Sequence, residues 1–99
     1  GEATARLLAE EGARVLAVDL PGKRVAEVHA GRNGIVCFDM DVTASGAADA
    51  IVAAAVDAFG RLDILFNNAG TVGRGGPVES HDEADRHFVL DLNLTSVYR

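Results

Sequence analysis

Leu62-Asp63-Ile64-Leu65-Phe66-Asn67-Asn68-Ala69-Gly70 is the stretch on which the fold turns. Its first five residues are mostly apolar without strict alternation, as expected for a strand covered on both faces in a parallel sheet. Four small or amide-bearing residues follow at once. Small side chains let a backbone approach a ligand closely, and asparagine amides can tie neighbouring strand ends together. A plain turn is the competing reading.

Two further strands are expected upstream, at Arg14–Val18, ended by Asp19, and at Gly34–Phe38. Between them lie helical patterns. Glu2–Glu11 is built from good helix formers, with Ala5, Leu7 and Leu8 on one side and Gly12 placed to stop it in a left-handed turn. Pro21 can open a second helix running through Val25, Val28 and His29 to Gly31. A third is expected after Thr43, its apolar face formed by Ile51, Val52, Ala55, Val56 and Phe59 and its end marked by Gly60. Past the glycine-rich loop with Gly73, Gly75 and Gly76, Ser80-His81-Asp82-Glu83 has the form of a capping box. It opens a last helix through Phe88, Leu92 and Thr95. Helices alternating with buried strands define the α/β class and a doubly wound parallel sheet.

Composition narrows the function. Ninety-nine residues suit one domain at most, and residues 1–99 read as one piece of one domain with neither repeat nor linker. The 48% hydrophobic content fits a packed protein, and no apolar run approaches the roughly 20 residues of a membrane span. Fifteen acidic against nine basic residues give a formal charge of -6, which disfavours nucleic acid and anionic membrane as partners. Cys37 stands alone in an apolar stretch, so it reads as a small buried thiol in a reducing cytoplasm. Gly1 and Arg99 read as cut ends.

In a doubly wound sheet, ligands bind beyond the carboxyl ends of the strands. Asp19 stands there, 18 residues past Gly1, where a dinucleotide fold uses a carboxylate to accept hydrogen bonds from the adenosine ribose. The same charge repels a 2′-phosphate, and Leu20 follows in place of a basic residue that would welcome NADP. An aspartate capping the helix after Pro21 explains Asp19 as well. At the next strand end, Asp41 can accept from the adenine amino group and Val42 can offer backbone donors and an apolar side; solvated turn residues would look the same.

With these residues in place the chain resembles the short-chain dehydrogenases/reductases. Asp19, Asp41-Val42, Asn67-Asn68-Ala69-Gly70 and Asn93 within Asp91-Leu92-Asn93-Leu94 look like that family's landmarks in order, over essentially all 99 residues. Gly1 looks like the last glycine of the family's T-G-x-x-x-G-x-G turn at the pyrophosphate. The resemblance implies a partial Rossmann fold lacking its first strand and carboxyl-terminal half, and an NAD-dependent oxidoreductase acting on an alcohol or ketone. It implies cofactor contacts from Gly1, Asp19, Leu20, Asp41, Val42, Asn68, Ala69 and Gly70. Asn93 matches the one residue of the catalytic set that falls in this chain, where it helps to hold a water in the proton relay. The family's serine, tyrosine and lysine have no counterpart here; Tyr98 has no lysine four residues on. A dimeric or tetrameric parent is also implied.

Other constellations carry less. His29, His81 and His87 are scattered, and His81 with Asp85 reads as a solvated helix pair rather than a metal site. Asp82, Glu83 and Asp85 suit a helix start, where carboxylates favour the dipole. A phosphoacceptor receiver domain would also place aspartates at strand ends, as Asp19, Asp39 and Asp41 are, but it needs a lysine after a later strand, and Lys23 lies early. A non-catalytic nucleotide-binding or interaction module is the remaining alternative. In the family's strand order the strand before Gly1 would separate the Val15 strand from the Leu62 strand, so the chain alone is expected to be loosely folded, to bind NAD weakly and to turn over nothing.

Overall fold

Val15–Asp19 (β1) and Ile35–Asp39 (β2) pair in parallel, with Val15 opposite Ile35 and Asp19 opposite Asp39. This ladder is the whole sheet. The computed structural model describes residues 1–99 as two units, Gly1–Phe66 and Asn67–Arg99.

The first unit opens with α1 (Glu2–Glu10), capped by Gly1 and released through Gly12 at φ 94°, as the sequence suggests. Ala5 is buried and Leu8 half-buried, but Leu7 is exposed. Two residues apart on a helix point to nearly opposite sides, so Leu7 cannot share the face of Ala5. The next helix is shorter than expected: α2 spans only Val25–Val28. Its N-cap Arg24 is left-handed at φ 61°, which stops the helix from extending back to Pro21, and Leu20–Lys23 closes instead as a turn.

The third helix, α3 (Ala47–Phe59), ends at Gly60 with φ 82°, as expected, but starts later than Thr43, at an N-cap of Gly46. Thr43 is engaged elsewhere, its amide and hydroxyl both donating to Asp41 Oδ1 at 2.9 and 2.7 Å. Ala55 is buried and Ile51 and Phe59 are half-buried, whereas Val52 and Val56 are exposed. The covered stripe is narrower than the apolar one, because it centres on Ala47 and Ala55 and faces a sheet of only two strands.

Leu62–Phe66 is not a strand. No ladder includes it, and Ile64, Leu65 and Phe66 are 69%, 62% and 59% exposed. A strand exists only through a neighbour's backbone groups, and β1 and β2 take each other's. The buried apolar residues are accordingly few and small: Ala5, Val25, Ala47 and Ala55.

The second unit is a loop followed by α4 (Glu83–Leu90), a π-helical turn at Asp91–Thr95 and a last helical turn at Ser96–Tyr98. The capping residue is Asp82, whose carboxylate accepts from the Asp85 amide at 2.8 Å. Ser80, the expected cap, lies in a short 3-10 turn (Val78–Ser80) and donates to the Pro77 carbonyl at 2.7 Å. Aspartate caps as well as serine does, so the motif slips by two residues.

One side chain fastens α3 to the start of β1. Arg14 donates to the Ala58 carbonyl at 2.7 Å and lies 4.7 Å from the Phe59 ring centroid, so it both caps the helix end and covers its last aromatic. Arg14→Ala is expected to lower stability by about 1 kcal/mol, with Arg14→Lys intermediate, as read from denaturant midpoints.

Candidate functional site

Parallel pairing sends both strands of the first unit toward the same edge, so their last residues and the turns beyond them are neighbours. Asp19 ends β1 opposite Asp39, and the Met40 amide donates to the Asp19 carbonyl at 2.8 Å. Asp41 and Val42 follow within two residues of that bond. The acid after the first strand and the acid-valine pair after the second therefore share one rim.

Each acid has a distinct state. Asp19 is exposed and one of its oxygens accepts from the Leu20 amide at 2.8 Å. Leu20 is itself exposed beside it. Asp41 is clamped by Thr43, whose hydroxyl and amide bonds hold its carboxyl below the usual carboxylate range. Val42 is half-buried. Of the two cations that follow, Arg24 donates to Glu27 at 2.6 Å, and Lys23 closes the turn, its amide donating to the Leu20 carbonyl at 3.1 Å. Cys37 is half-buried rather than buried, and its thiol donates to the Val25 carbonyl at 3.6 Å. Burial first, and the Asp39 charge second, push its pKa up, which keeps it unreactive.

Gly1 stands at the N-cap of α1, where no side chain takes up the first-turn amides. Such amides are free to meet an anion. Glu2, in that turn, is ion-paired with Arg6. An edge of carboxylate acceptors suits the hydroxyl and amino donors of a dinucleotide such as NAD, and a helix start without a side-chain cap suits its pyrophosphate.

In the second unit, Asn67, Asn68, Ala69 and Gly70 are exposed. Asn93, from the π-helical turn, holds this corner by its neighbour: Oδ1 accepts from the Thr71 amide and Nδ2 donates to the Thr71 carbonyl, both at 2.7 Å. Both polar atoms of Asn93 are thereby committed to main chain. Gly70 must be small for the same reason, since a Cβ there would sit 3.0 Å from Asn93 Oδ1. A π turn often marks a functional position, and here it carries Asn93.

Sequence reasoning missed how Asp85 is used. It is not part of a solvated pair: it is 8% exposed, with His81 Nδ1 3.7 Å from Oδ2 and Arg74 Nε 3.7 Å from Oδ1. Nothing in the local pattern signals this, because an acid in a first helical turn is explained by the dipole. No three His, Cys, Asp or Glu side chains are grouped to hold a metal ion, and no helix is long and apolar enough to cross a membrane.

A two-strand parallel sheet with intervening helices and a shared acidic rim defines a Rossmann-like α/β unit. Comparison with known proteins makes this specific. The family model described as enoyl-(acyl carrier protein) reductase matches residues 1–99. A Mycobacterium tuberculosis hexahydro-indene-carboxyl-CoA reductase is 41% identical, covering 100% of this chain and 39% of that protein. A 3-oxoacyl-[acyl-carrier-protein] reductase of Vibrio cholerae is 36% identical, over 100% of this chain and 41% of its own length. Among solved structures, levodione reductase superposes with TM-score 0.88 at 34% identity, covering 99% of this chain and 40% of that one. The Brucella melitensis 3-ketoacyl-(acyl-carrier-protein) reductase complexed with NADH gives TM-score 0.91 at 29% identity, covering 99% and 41%. The chain belongs to the short-chain dehydrogenase/reductase family of oxidoreductases, and it spans about two fifths of the length of these relatives.

Two tests follow from the geometry. Asn93→Ala should free the Thr71 amide and speed its hydrogen exchange about fivefold or more, and Gly70→Ala should act in the same direction. Asp41 contributes its turn bonds while ionised, at and above the ordinary carboxylate pKa, and loses them as pH falls through its lowered folded value. Thr43→Val should therefore move the Asp41 titration up toward the ordinary value, measured by NMR.

Proposed function

We propose that this chain is the cofactor-binding part of an enzyme that transfers hydride between NAD(H) and an alcohol or ketone. The observation that carries the reading is the shared rim of β1 and β2, where Asp19 lies opposite Asp39 and the Asp41 turn follows two residues on. On this reading Asp19 accepts from the adenosine ribose hydroxyls and repels a 2′-phosphate, and Leu20 stands in place of a basic residue next to it, so NAD is preferred over NADP. Asp41 and Val42 flank adenine. Gly1 and the first turn of α1 meet the pyrophosphate, and Asn68, Ala69 and Gly70 lie along the cofactor. The bound dinucleotide supplies the hydride donor or acceptor.

Asn93 belongs to the proton relay in this proposal. Its side chain is occupied by Thr71, so a water that it helps to hold is bound through its main chain. General acid/base chemistry comes from a tyrosine, and carbonyl orientation from a serine, in the enzyme that carries this chain. Alone, the 99 residues bind NAD weakly and are inactive, because the buried apolar set is four small residues. The substrate is a small molecule, the enzyme a homo-oligomer, and the lone Cys37 suits a reducing cytoplasm.

Cofactor choice tests the assignment. In the complete enzyme Asp19→Ala should reduce the ratio of kcat/KM for NAD over NADP by about tenfold or more, since a charge-assisted hydrogen bond is lost and a repulsion removed. An unchanged ratio takes Asp19 away from the ribose.

A further inference from the structure

Gly34 is the last residue before β2, and the fold holds it in place. Its carbonyl accepts from the Val15 amide at 2.7 Å, which ties it to the start of β1. Its backbone is left-handed at φ 85°, and a Cβ there would lie 3.2 Å from the Ala13 carbonyl oxygen and 3.8 Å from Ala9 Cβ. Conformation and space therefore both call for glycine. The Gly34 amide nitrogen, in contrast, donates to no group, and the residue is exposed.

Asn33 precedes it in the same turn, exposed, with a side-chain amide that makes no hydrogen bond. The carboxamide carbon of an asparagine can be reached by the nitrogen of the next residue through a five-membered ring. That attack is easiest where the next residue has no side chain and its N–H is not held. The other three asparagines lack one of these conditions. Asn67 and Asn68 are exposed, but Asn68 and Ala69 follow them and carry side chains beside the attacking nitrogen. Asn93 is followed by Leu94, and both of its polar atoms are bonded to the Thr71 main chain at 2.7 Å.

We propose that the Asn33-Gly34 turn is a modification site, at which the folded chain deamidates spontaneously to isoaspartate and loosens the start of the β1–β2 ladder. The Gly34 amide nitrogen gives its proton to solvent and bonds to the Asn33 side-chain carbon. The carbon–nitrogen bond of the carboxamide breaks, and ammonia leaves with a proton taken from solvent, which closes a succinimide. Water then opens the ring, and no oxidant or reductant takes part. Opening at the main-chain carbonyl leaves isoaspartate, and opening at the former side-chain carbonyl leaves aspartate. Either product adds a carboxylate, which carries the formal charge of -6 one unit further. Isoaspartate also routes the chain through the former side chain and so inserts a methylene between Arg32 and Gly34. Gly34 is closely set against Ala13, so the bond from the Val15 amide is the one that gives.

The experiment holds the complete enzyme, folded, at mildly alkaline pH and follows it by peptide mapping, with an isoaspartyl methyltransferase and a labelled methyl donor reporting the isoaspartyl link. Asn33 should convert about tenfold faster or more than Asn67, Asn68 or Asn93, and within about threefold of its own rate in the urea-unfolded chain. Asn33→Ser, at an exposed position, should remove the label from this turn. In the converted enzyme the Val15 amide should exchange its hydrogen about fivefold faster, whereas Asn33→Asp, which adds the charge without the methylene, should stay within about twofold of the wild type. An Asn33 that survives in the folded enzyme but converts in urea shows that the turn shields it, and overturns the site. Equal conversion at Asn67 or Asn68 overturns the part given to Gly34. Conversion with unchanged Val15 exchange overturns the loosening of the ladder.

Discussion

Backbone pairing between two five-residue strands is what the first unit depends on. The parallel ladder of β1 and β2 fixes which ends meet, and it therefore brings the end of β1 at Asp19 to the turn that carries Asp41 even though 21 residues of chain lie between them. It also sets a limit. A strand buried on both faces needs neighbours along its edges, and each of the two has one. The helices can cover only what this sheet offers, which is why alanines form the interior and the larger residues Val52 and Val56 remain outside.

Much of this was legible in the sequence, and for stated reasons. Local punctuation reads well: Gly12 and Gly60 stop α1 and α3 because only glycine takes those left-handed angles cheaply. The apolar runs at Val15 and Ile35 became strands. The run at Leu62 did not, although it is equally apolar, because pairing is a property of two segments and not of one. Capping was legible in kind but not in register. Ser80 and Asp82 are both competent caps, and the choice between them is made by the turn at Pro77. Pro21 failed as a helix start because Arg24, three residues on, is left-handed, a conformation that a sequence pattern gives no reason to expect of arginine.

The candidate site divides the same way. Strand-end acids are visible from topology, and the family match spans residues 1–99, as the resemblance implied. Roles that depend on hydrogen-bond partners were not visible. Asn93 looked like a residue that faces chemistry, yet both of its polar atoms serve Thr71, and Gly70 is small on its account. Asp85 looked like one of several acids softening a helix start, yet it is the one that is buried. Its neighbours Asp82 and Glu83 stay near water, with Glu83 held by Arg86 at 2.8 Å.

The unpaired Leu62–Phe66 segment has a consequence for the chain as a material. Three large apolar side chains in a row, with an unladdered backbone, sit in the same unit as a sheet whose outer edges are bare. Such elements are templates for pairing between molecules. The only charges within the segment and next to it are the Arg61–Asp63 pair, which cancel each other and so repel no incoming copy. At high concentration the isolated 99 residues are thus inclined to associate through this segment, and their solubility rests on the net charge of -6 carried elsewhere on the surface.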